Sequence, residues 1–573
     1  MAKRARWAGG RWAILGLTVA VAAALAVAVV RFADSPRPEE KKIVWGSGAN
    51  FPENFFPVIG AGFSVATAQL EVQVLPGPFR LRPDLTVVHD DELLTSAPTS
   101  GLSGDRQVVT YRLNPRASWS DGQPITAGDF AFSWRMQRSA DPARGGCPAL
   151  VSTTGYDQIV SVQGRDAGRT AEVTFRPPFA DWKSLFNQQL FPAHLMDRGN
   201  VTANCRMMQR GWPVEEGIPV SAGPWRLDAA GVDPGQQTVI LTPNPQYWGR
   251  RPKLDRLIWQ AFSTDASAVI GALQSGEIDL ADPPPQLDLL PQLRHLEPTV
   301  HTEVRSGLVF DHLDFNVTNP HLGQKAVRQA IATALDRQAL VRATVGQLNP
   351  GAQVLNNRLY MNSQPEYEAT NGGRYERADV AAARRLLEGA GYAAGPDGIY
   401  VQRGRRLSLE LITPPKDRMF ANAAAVIAAQ LDAAGIEVHA VPSPHIFGDK
   451  NDPNSLESGR FDMALFYWLG APFVTPSRSV YESPRAGSLG QNYSRGFDRR
   501  VDELFADLAH ETDPVGAASV ANRIDRLLWD DLYTLPLYQR PVILARSSML
   551  MNAGVNATVS GPGWNASDWE IAT

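Results

Sequence analysis

The chain has 573 residues, of which 44% are hydrophobic and 20% are charged, and its formal net charge is −4. This composition excludes a wholly disordered chain, and the length is too great for a single hydrophobic core, so we expect several lobes. The near-neutral charge, with no long basic run after the first dozen residues, argues against a nucleic-acid partner.

The N-terminus combines a basic flank with an apolar run. Residues 1–12 contain four basic side chains, and 13–30 contain no charged residue. A helix of that length reaches roughly 27 Å, enough to cross a bilayer. The basic flank stays in the cytoplasm, so the sequence predicts an extracytoplasmic body, either anchored in the membrane or secreted into the cell envelope. The alternative to a transmembrane anchor is a cleaved signal peptide, for which 26–28 (AVA) offers a site; 31–42 is a charged, Pro-rich linker.

Cys147 and Cys205 are the only cysteines of the chain. The environment outside the cytoplasm is oxidising, so we predict a disulfide bond between them. The alternative is a pair of free, buried thiols. Two distant thiols offer too few ligands for a metal ion, and no metal site is predicted.

Two helices are predicted from local patterns. Thr126 and Asp129 have the spacing of a capping box ahead of an apolar stretch, which predicts that a helix begins there. Further along, 324–346 has apolar residues on one face of a single predicted helix. Its charged residues, among them Arg328 and Arg337, are expected on a solvated face.

The second half of the chain contains a predicted βαβ unit. Residues 407–412 and 436–440 alternate like strands, and the Ala-rich stretch 417–434 between them is helical. A further apolar strand is predicted at 461–467. A crossover helix between parallel strands indicates an α/β lobe, in which ligands bind at the carboxyl ends of strands. The segment 467–473 is therefore the predicted ligand segment.

The common sequence signatures of catalysis are absent, including H-E-x-x-H, G-x-S-x-G and the P-loop pattern. No catalytic residue, metal or cofactor is predicted. The chain has 14 Trp; most are expected in cores, and those in loops beside Gly or Pro are candidates for a cleft wall. We therefore expect a binding protein rather than an enzyme.

Five short motifs follow one another between residues 117 and 337. They are 117–126 (ASWSDGQPIT), 221–225 (SAGPW), 244–249 (NPQYWG), 276–279 (GEID), and 315–316 (FN) followed by 327–337 (VRQAIATALDR). In this order they resemble the motifs of the extracellular solute-binding proteins of peptide, nickel and glycan ABC importers, the group of the oligopeptide- and dipeptide-binding proteins. The Arg-rich composition looks actinobacterial. The motifs supply turns and packing residues, so they indicate a fold without naming a ligand.

The resemblance implies a periplasmic-binding-protein-like α/β fold, with two α/β lobes joined by a two-crossing hinge and a smaller β-rich lobe. It also implies a receptor that binds a peptide or small molecule and works with ABC permease subunits. We expect a monomer, attached to the membrane through the N-terminal segment described above. The predicted division is 43–80, 214–309 and 535–573 for lobe I, 81–213 for the small lobe II, and 310–534 for lobe III.

The predicted ligand site lies where 467–473 faces lobe I. The candidate residues are aromatic, apolar and glycine positions of this segment, with one residue on the opposite wall: Tyr467, Trp468, Leu469, Gly470, Phe473 and Phe79. Trp468 would offer a flat apolar face, and Gly470 would let a ligand approach the backbone closely. The alternative for Trp468 is a buried core position.

Ala471 stands near the place where peptide-binding members of the family carry an acidic residue that pairs with the free amino group of the peptide. Without that charge, an uncharged, apolar or glycan-like ligand, or no ligand at all, is favoured over a zwitterionic peptide. Two other functions stay open: a non-transport regulator or sensor of the cell envelope on the same fold, similar to the mycobacterial lipoprotein linked to phosphatidylinositol mannoside synthesis, and a hydrolytic enzyme. Neighbouring permease genes would favour transport, and turnover of peptides or glycosides would favour an enzyme.

Overall fold

The computed structural model describes residues 40–572, except 63, 142, 144, 416, 448–450, 454 and 485–488. The predicted basic flank, the apolar run and most of the linker lie outside the described residues. No helix within the described part of the chain has both the length and the apolar character needed to cross a membrane. The folded body begins at Lys42.

The strands form one large mixed sheet and several small ones. In chain order they are β1 (Lys42–Ser47), β2 (Phe79–Leu81), β3 (Val87–His89), β4 (Thr99–Ser103), β5 (Arg106–Arg112), β6 (Ile159–Arg165), β7 (Thr170–Phe175), β8 (Trp225–Arg226), β9 (Val232–Asp233), β10 (Thr238–Pro243), β11 (Arg256–Ala261), β12 (Leu280–Asp282), β13 (Val300–Phe315), β14 (Ala393–Ala394), β15 (Tyr400–Gln402), β16 (Arg405–Arg406), β17 (Ser408–Thr413), β18 (Glu437–Pro442), β19 (Met463–Leu469), β20 (Thr534–Ser547), β21 (Leu550–Met551) and β22 (Glu570–Ile571). The large sheet has the order β18-β17-β19-β13-β20-β12-β1-β11-β10-β8, with β9 paired to β10.

Two long strands, β13 and β20, join the two halves of this sheet. They pair with each other in antiparallel register, and the ladder is interrupted between Ser306 and Phe310. On one side β20 pairs with β12, and on the other side β13 pairs with β19. The chain therefore passes between two α/β lobes along two neighbouring strands, as the resemblance implies.

The helices cover the faces of the large sheet and fill the space between the small sheets. In chain order they are α1 (Val65–Val74), α2 (Ala127–Gln137), α3 (Ala193–Met196), α4 (Val201–Arg210), α5 (Ala266–Ser275), α6 (Leu289–Arg294), α7 (Lys325–Ala334), α8 (Arg337–Ala343), α9 (Val380–Gly389), α10 (Arg418–Ala433), α11 (Arg478–Tyr481), α12 (Arg499–His510) and α13 (Pro514–Asp531). One core packs α1 against β1, β10 and β11, and another packs α7, α8 and α10 against β13, β17 and β19.

The smaller lobe is built on the antiparallel sheet β4-β5-β7-β6. Helix α2 begins as predicted: the N–H of Thr126 donates to Asp129 Oδ2 at 2.8 Å, and the Thr126 side chain caps the helix in return. The predicted disulfide bond is also confirmed. Cys147 and Cys205 are bonded, with their Cα atoms 5.3 Å apart, and both are buried.

The predicted βαβ unit is confirmed. Strands β17 and β18 are parallel, and α10 crosses between them. Asp417 caps α10 by accepting a hydrogen bond from the N–H of Met419 at 2.8 Å, and Gly435 adopts a φ of +86° just after the helix ends. Strand β19 begins two residues later than the predicted 461–467.

The predicted single helix over 324–346 is wrong. Helix α7 ends at Ala334, Leu335 is extended, and α8 starts at Arg337. The reason is local: Asp336 accepts a hydrogen bond from the N–H of Ala339 at 2.8 Å, so it caps a new helix instead of continuing the old one.

The expectation that Arg328 and Arg337 lie on a solvated face is also wrong. They are 3% and 0% exposed. Arg337 donates to the carbonyl oxygens of Leu355 and Pro536 at 2.8 and 3.0 Å, and Arg328 donates to the carbonyl oxygen of Asp531 at 2.7 Å. Both guanidinium groups satisfy buried carbonyl groups, a use that helical periodicity does not reveal.

Candidate functional site

A cavity of about 800 Å³ lies at the carboxyl ends of the parallel strands β1 and β12. The chain leaves β1 through 48–53 and leaves β12 through three prolines at 283–285, and both segments line the cavity. Proline cannot donate to a ladder, which explains why β12 stops at Asp282. The other walls come from the start of α1, from β20, from 555–562 and from two residues of β19. Both halves of the large sheet therefore contribute.

Asp282 is held at the end of β12 by two side-chain donors. Trp45 Nε1 donates to Oδ1 at 2.8 Å, and Gln69 Nε2 donates to Oδ2 at 2.9 Å. Gln69 is itself fixed, because its Oε1 accepts hydrogen bonds from Ser47 Oγ at 2.8 Å and from Trp259 Nε1 at 2.9 Å. Burial raises the pKa of Asp282 to about 7, against the opposing effect of its hydrogen bonds. The carboxyl group has a fixed orientation and changes charge near neutral pH.

Gly561 brings the C-terminal segment close to this carboxyl group. Its φ of +55° lies in the left-handed region that favours glycine. A Cβ at this position would lie 3.1 Å from Gln69 Nε2 and 3.6 Å from Asp282 Oδ2. A side chain at this position would therefore crowd the Gln69 amide that orients the carboxyl group.

Replacing Asp282 by Asn should flatten the pH dependence of stability. The pKa of this carboxyl is about 7 in the folded protein and about 3.9 in an unfolded chain, so between these values the folded state holds a proton that the unfolded state has lost. Wild-type stability should therefore fall as pH rises through this window. Melting temperatures at pH 5 and pH 8 should differ less for Asp282→Asn than for the wild type. The exposed acid Glu277 gives the control, Glu277→Gln, and parallel profiles for Asp282→Asn and wild type would contradict the prediction.

Strand β19 presents alternate residues to the cavity. Tyr467 and Leu469 line it and are 44% and 53% exposed. The Tyr467 ring stacks on Phe420 of α10, with 6.1 Å between centroids and 7° between planes. The guanidinium of Arg540 lies 5.2 Å from the centroid of Tyr467 and 4.3 Å from that of Phe420. Tyr467 is a supported flat surface that a ligand can cover.

Arg540 is anchored behind this surface by two acids. It donates to Asp311 Oδ1 and to Asp417 Oδ2, each at 2.7 Å. The side chains of Arg540 and Asp311 are 8% and 0% exposed, so this pair is buried. Asp417 also caps α10, which ties the helix under Tyr467 to the crossing strand β20.

Trp468 lies on the other face of β19 and does not line the cavity. Its ring is parallel to those of His312 and Tyr493, at 5.9 and 5.8 Å between centroids. Its Nε1 and the Nε2 of His312 are buried and have no hydrogen-bond partner among the described residues. The ring is half-buried within an aromatic cluster.

The other predicted site residues also lie outside this cavity. The N–H of Gly470 donates to the carbonyl oxygen of Leu308 at 2.8 Å, and a Cβ on Gly470 would lie 3.0 Å from that oxygen, so the glycine permits close packing on β13. Phe473 is half-buried. Phe79 is 4% exposed, packs edge-on against Trp182 in the core of the small lobe, and borders a separate cavity of about 490 Å³.

Sequence reasoning misses Asp282 and Gln69. Asp282 follows the motif 276–279 by three residues and directly precedes three prolines, and an acid at a proline-terminated strand end is the signal that could have found it. Gln69 has no such signal, because it becomes a site residue only through a contact with a residue 213 positions away.

Among the described residues, the charged side chains that line the cavity are all acidic. Glu53 and Asp282 are the charged side chains on its walls, and no Lys, Arg or His lines it within the described chain. In the same part of the chain no group of three His, Cys, Asp or Glu is placed to hold a metal ion.

Comparison with known proteins gives consistent matches. Residues 92–485 match the family model for the middle part of bacterial extracellular solute-binding proteins, family 5. The oligopeptide-binding protein OppA of Mycobacterium tuberculosis is 30% identical over 514 residues, which cover 88% of this chain and 81% of that protein. An uncharacterized lipoprotein of the same organism is 26% identical over 597 residues and is covered to 98%, as is this chain.

A solved structure has the same fold over most of the chain. The periplasmic EDTA-binding protein EppA matches with a TM-score of 0.82 and 25% identity, covering 93% of this chain and 97% of that one. This likeness confirms the predicted periplasmic-binding-protein-like α/β architecture.

Proposed function

The chain belongs to family 5 of the bacterial extracellular solute-binding proteins, and from this we propose that it captures a peptide-like or other small organic ligand in the 800 Å³ cavity and delivers it to the permease of an ABC importer. The observation that carries the proposal is that the cavity walls come from both halves of the large sheet, at the carboxyl ends of β1 and β12. A site of this size suits a small ligand, and walls from two lobes allow capture and release by lobe movement.

We infer that the ligand is bound without being converted. Among the described residues the acids on the cavity walls are Glu53 and Asp282, and Asp282 accepts hydrogen bonds from Trp45 and Gln69. The nearby hydroxyl of Ser47 donates to Gln69 Oε1 at 2.8 Å, so its proton is held by the amide rather than passed to a base. OppA and EppA are binding proteins by name, which supports the same inference. EDTA, the ligand in the name of EppA, is a polyanion, and no cationic side chain among the described residues lines this cavity to pair with it.

We also propose that the body works as a monomer outside the cytoplasm, held at the membrane by 13–30 or released after cleavage of that run. The match to a lipoprotein over nearly its whole length supports a place at the membrane. For the lobes we propose 43–80 with 214–309 and 535–573, then 81–213, and 310–534. The interruption of the β13–β20 ladder between Ser306 and Phe310 supports the boundary after 309.

The direct test is to purify the full chain under native conditions, denature it, and analyse the released small molecules by mass spectrometry. One organic compound near one equivalent, together with cross-linking of the chain to permease subunits in intact cells, is the expected result. A chain that retains no small molecule and cross-links to no permease would overturn the proposal.

Two substitutions on opposite faces of β19 locate the ligand wall. Tyr467→Ala should weaken binding of the retained compound by about 1–3 kcal/mol and lower the melting temperature less than Trp468→Ala does, because the Tyr467 ring is 44% exposed. Trp468→Ala should lower the melting temperature more, because the stack with His312 and Tyr493 is lost. Calorimetry and thermal melts measure the two effects. Selective loss of binding in Trp468→Ala would move the ligand to the other face of the strand.

A further inference from the structure

The charges on the cavity walls restrict what the cavity can hold. Glu53 and Asp282 are both acidic, and no cationic side chain lines the cavity within the described chain. Above pH 7, where Asp282 is ionised, a carboxylate on the ligand would meet a like charge at Asp282, whereas a cation on the ligand would meet an acceptor there.

Asp282 is the acid with a built geometry. A carboxylate has about four acceptor positions, and Trp45 and Gln69 occupy one on each oxygen. Both donors are uncharged, and no cation pairs with Asp282 in the described part of the chain, so its negative charge is left without a partner. Asp282 also lines the cavity, so its carboxyl group lies within reach of a ligand there.

We propose that the ligand carries a cationic nitrogen, an ammonium or guanidinium group, and no free carboxylate, and that this nitrogen pairs with Asp282. The inference rests on the proposed function, since it concerns the same cavity. Tyr467 and Leu469, the residues of β19 that line the cavity, carry no acid, and Asp282 supplies a carboxyl group from the end of β12. The apolar part of the ligand then lies on Tyr467 and Leu469, which are exposed on the opposite side.

Few other titratable groups surround Asp282. Glu53 and Tyr467 share the cavity wall with it. Glu71 lies on α1, two residues beyond Gln69, and burial raises its pKa well above the usual value. Asp279 precedes β12 and accepts a hydrogen bond from the N–H of Val44 at 2.8 Å. Variants must separate these acids from Asp282.

The test uses three capped tripeptides, acetyl-Ala-Xaa-Ala-amide, in which Xaa is arginine, citrulline or glutamate. The three have the same length, and citrulline keeps the shape of arginine without its charge. Calorimetry on the full chain at pH 8 should show the arginine peptide binding at least about tenfold more tightly than the citrulline peptide, with the glutamate peptide weakest. Its affinity should also rise about tenfold or more from pH 5.5 to pH 8. The guanidinium stays charged throughout, while a carboxyl group of pKa about 7 loses its proton in this range.

Asp282→Asn should abolish both the preference for arginine and its pH dependence, and Glu277→Gln, an exposed acid outside the cavity, should change neither. The pH dependence of the wild type keeps the test valid if Asp282→Asn folds poorly. Equal binding of the arginine and citrulline peptides, tighter binding of the glutamate peptide, or no binding of the arginine peptide would each overturn the inference. The proposed function is tested separately, by the retained compound and the permease cross-link. Failure of the cationic-ligand inference can therefore be distinguished from failure of the proposed function.

Discussion

Replacing Arg540 by Met should lower the free energy of unfolding by about 3–5 kcal/mol. The substitution leaves Asp311, whose side chain is 0% exposed, as a buried charge without its partner. It also removes the ion pair to Asp417 and the cation that lies over the rings of Phe420 and Tyr467. Urea denaturation followed by circular dichroism gives the free energy, and the ligand wall should lose affinity together with stability.

The matched control is an arginine in an exposed pair. Arg165 donates to Glu172 Oε2 at 3.0 Å, with side chains 59% and 32% exposed, so Arg165→Met should change the free energy by less than about 1 kcal/mol. The double variant Arg540→Met with Asp311→Asn should recover part of the loss, because the buried charge is then gone. A loss below about 1 kcal/mol in Arg540→Met would contradict the burial of this pair.

Removing the disulfide bond with Cys205→Ser should cost about 4 kcal/mol, because the bond closes a loop of 58 residues that an unfolded chain would otherwise leave open. Cys147 and Cys205 also belong to the buried core that holds Phe56 and Trp212, so the loss should be seen in global unfolding. The melting temperature of the variant should fall, and a reducing agent should lower that of the wild type to a similar value. An unchanged melting temperature in both experiments would show that the bond does not contribute to stability.

The features predicted correctly are those that show in a local pattern, in the cysteine count or in the ordered motifs. The capping box of Thr126 and Asp129 acts over three positions, and the βαβ unit shows as two alternating strands around an Ala-rich helix. The disulfide bond is predictable because the chain has only two cysteines and its predicted compartment, outside the cytoplasm, is oxidising. The five ordered motifs predict the fold, because proteins with the same lobes share the residues that form the turns and pack the cores.

The errors and omissions depend on contacts that are distant in sequence. Nothing in the periodicity of 324–346 shows that Arg337 will reach the carbonyl oxygens of Leu355 and Pro536. The choice between the two faces of β19 also depends on tertiary packing, because Tyr467 and Trp468 are equally plausible aromatic surfaces in sequence. Asp282 is a candidate because Trp45 and Gln69 orient it, and these donors lie 237 and 213 positions away in sequence.

The interruption in the β13–β20 ladder has a mechanical consequence. Residues 307–309 face the single residue Arg540, Pro541 has no N–H to donate, and a Cβ on Gly307 would lie 2.7 Å from the carbonyl oxygen of Arg540. A continuous sheet loses the fewest hydrogen bonds if it bends where its ladder is already interrupted. Opening of the lobes should therefore bend β13 and β20 between Ser306 and Phe310 rather than at a loop. Arg540, which lies opposite this interruption, is also the residue whose guanidinium supports the ring of Tyr467. Bending of the sheet at Arg540 would then also tilt Tyr467, so the hinge between the lobes and the ligand wall would move together.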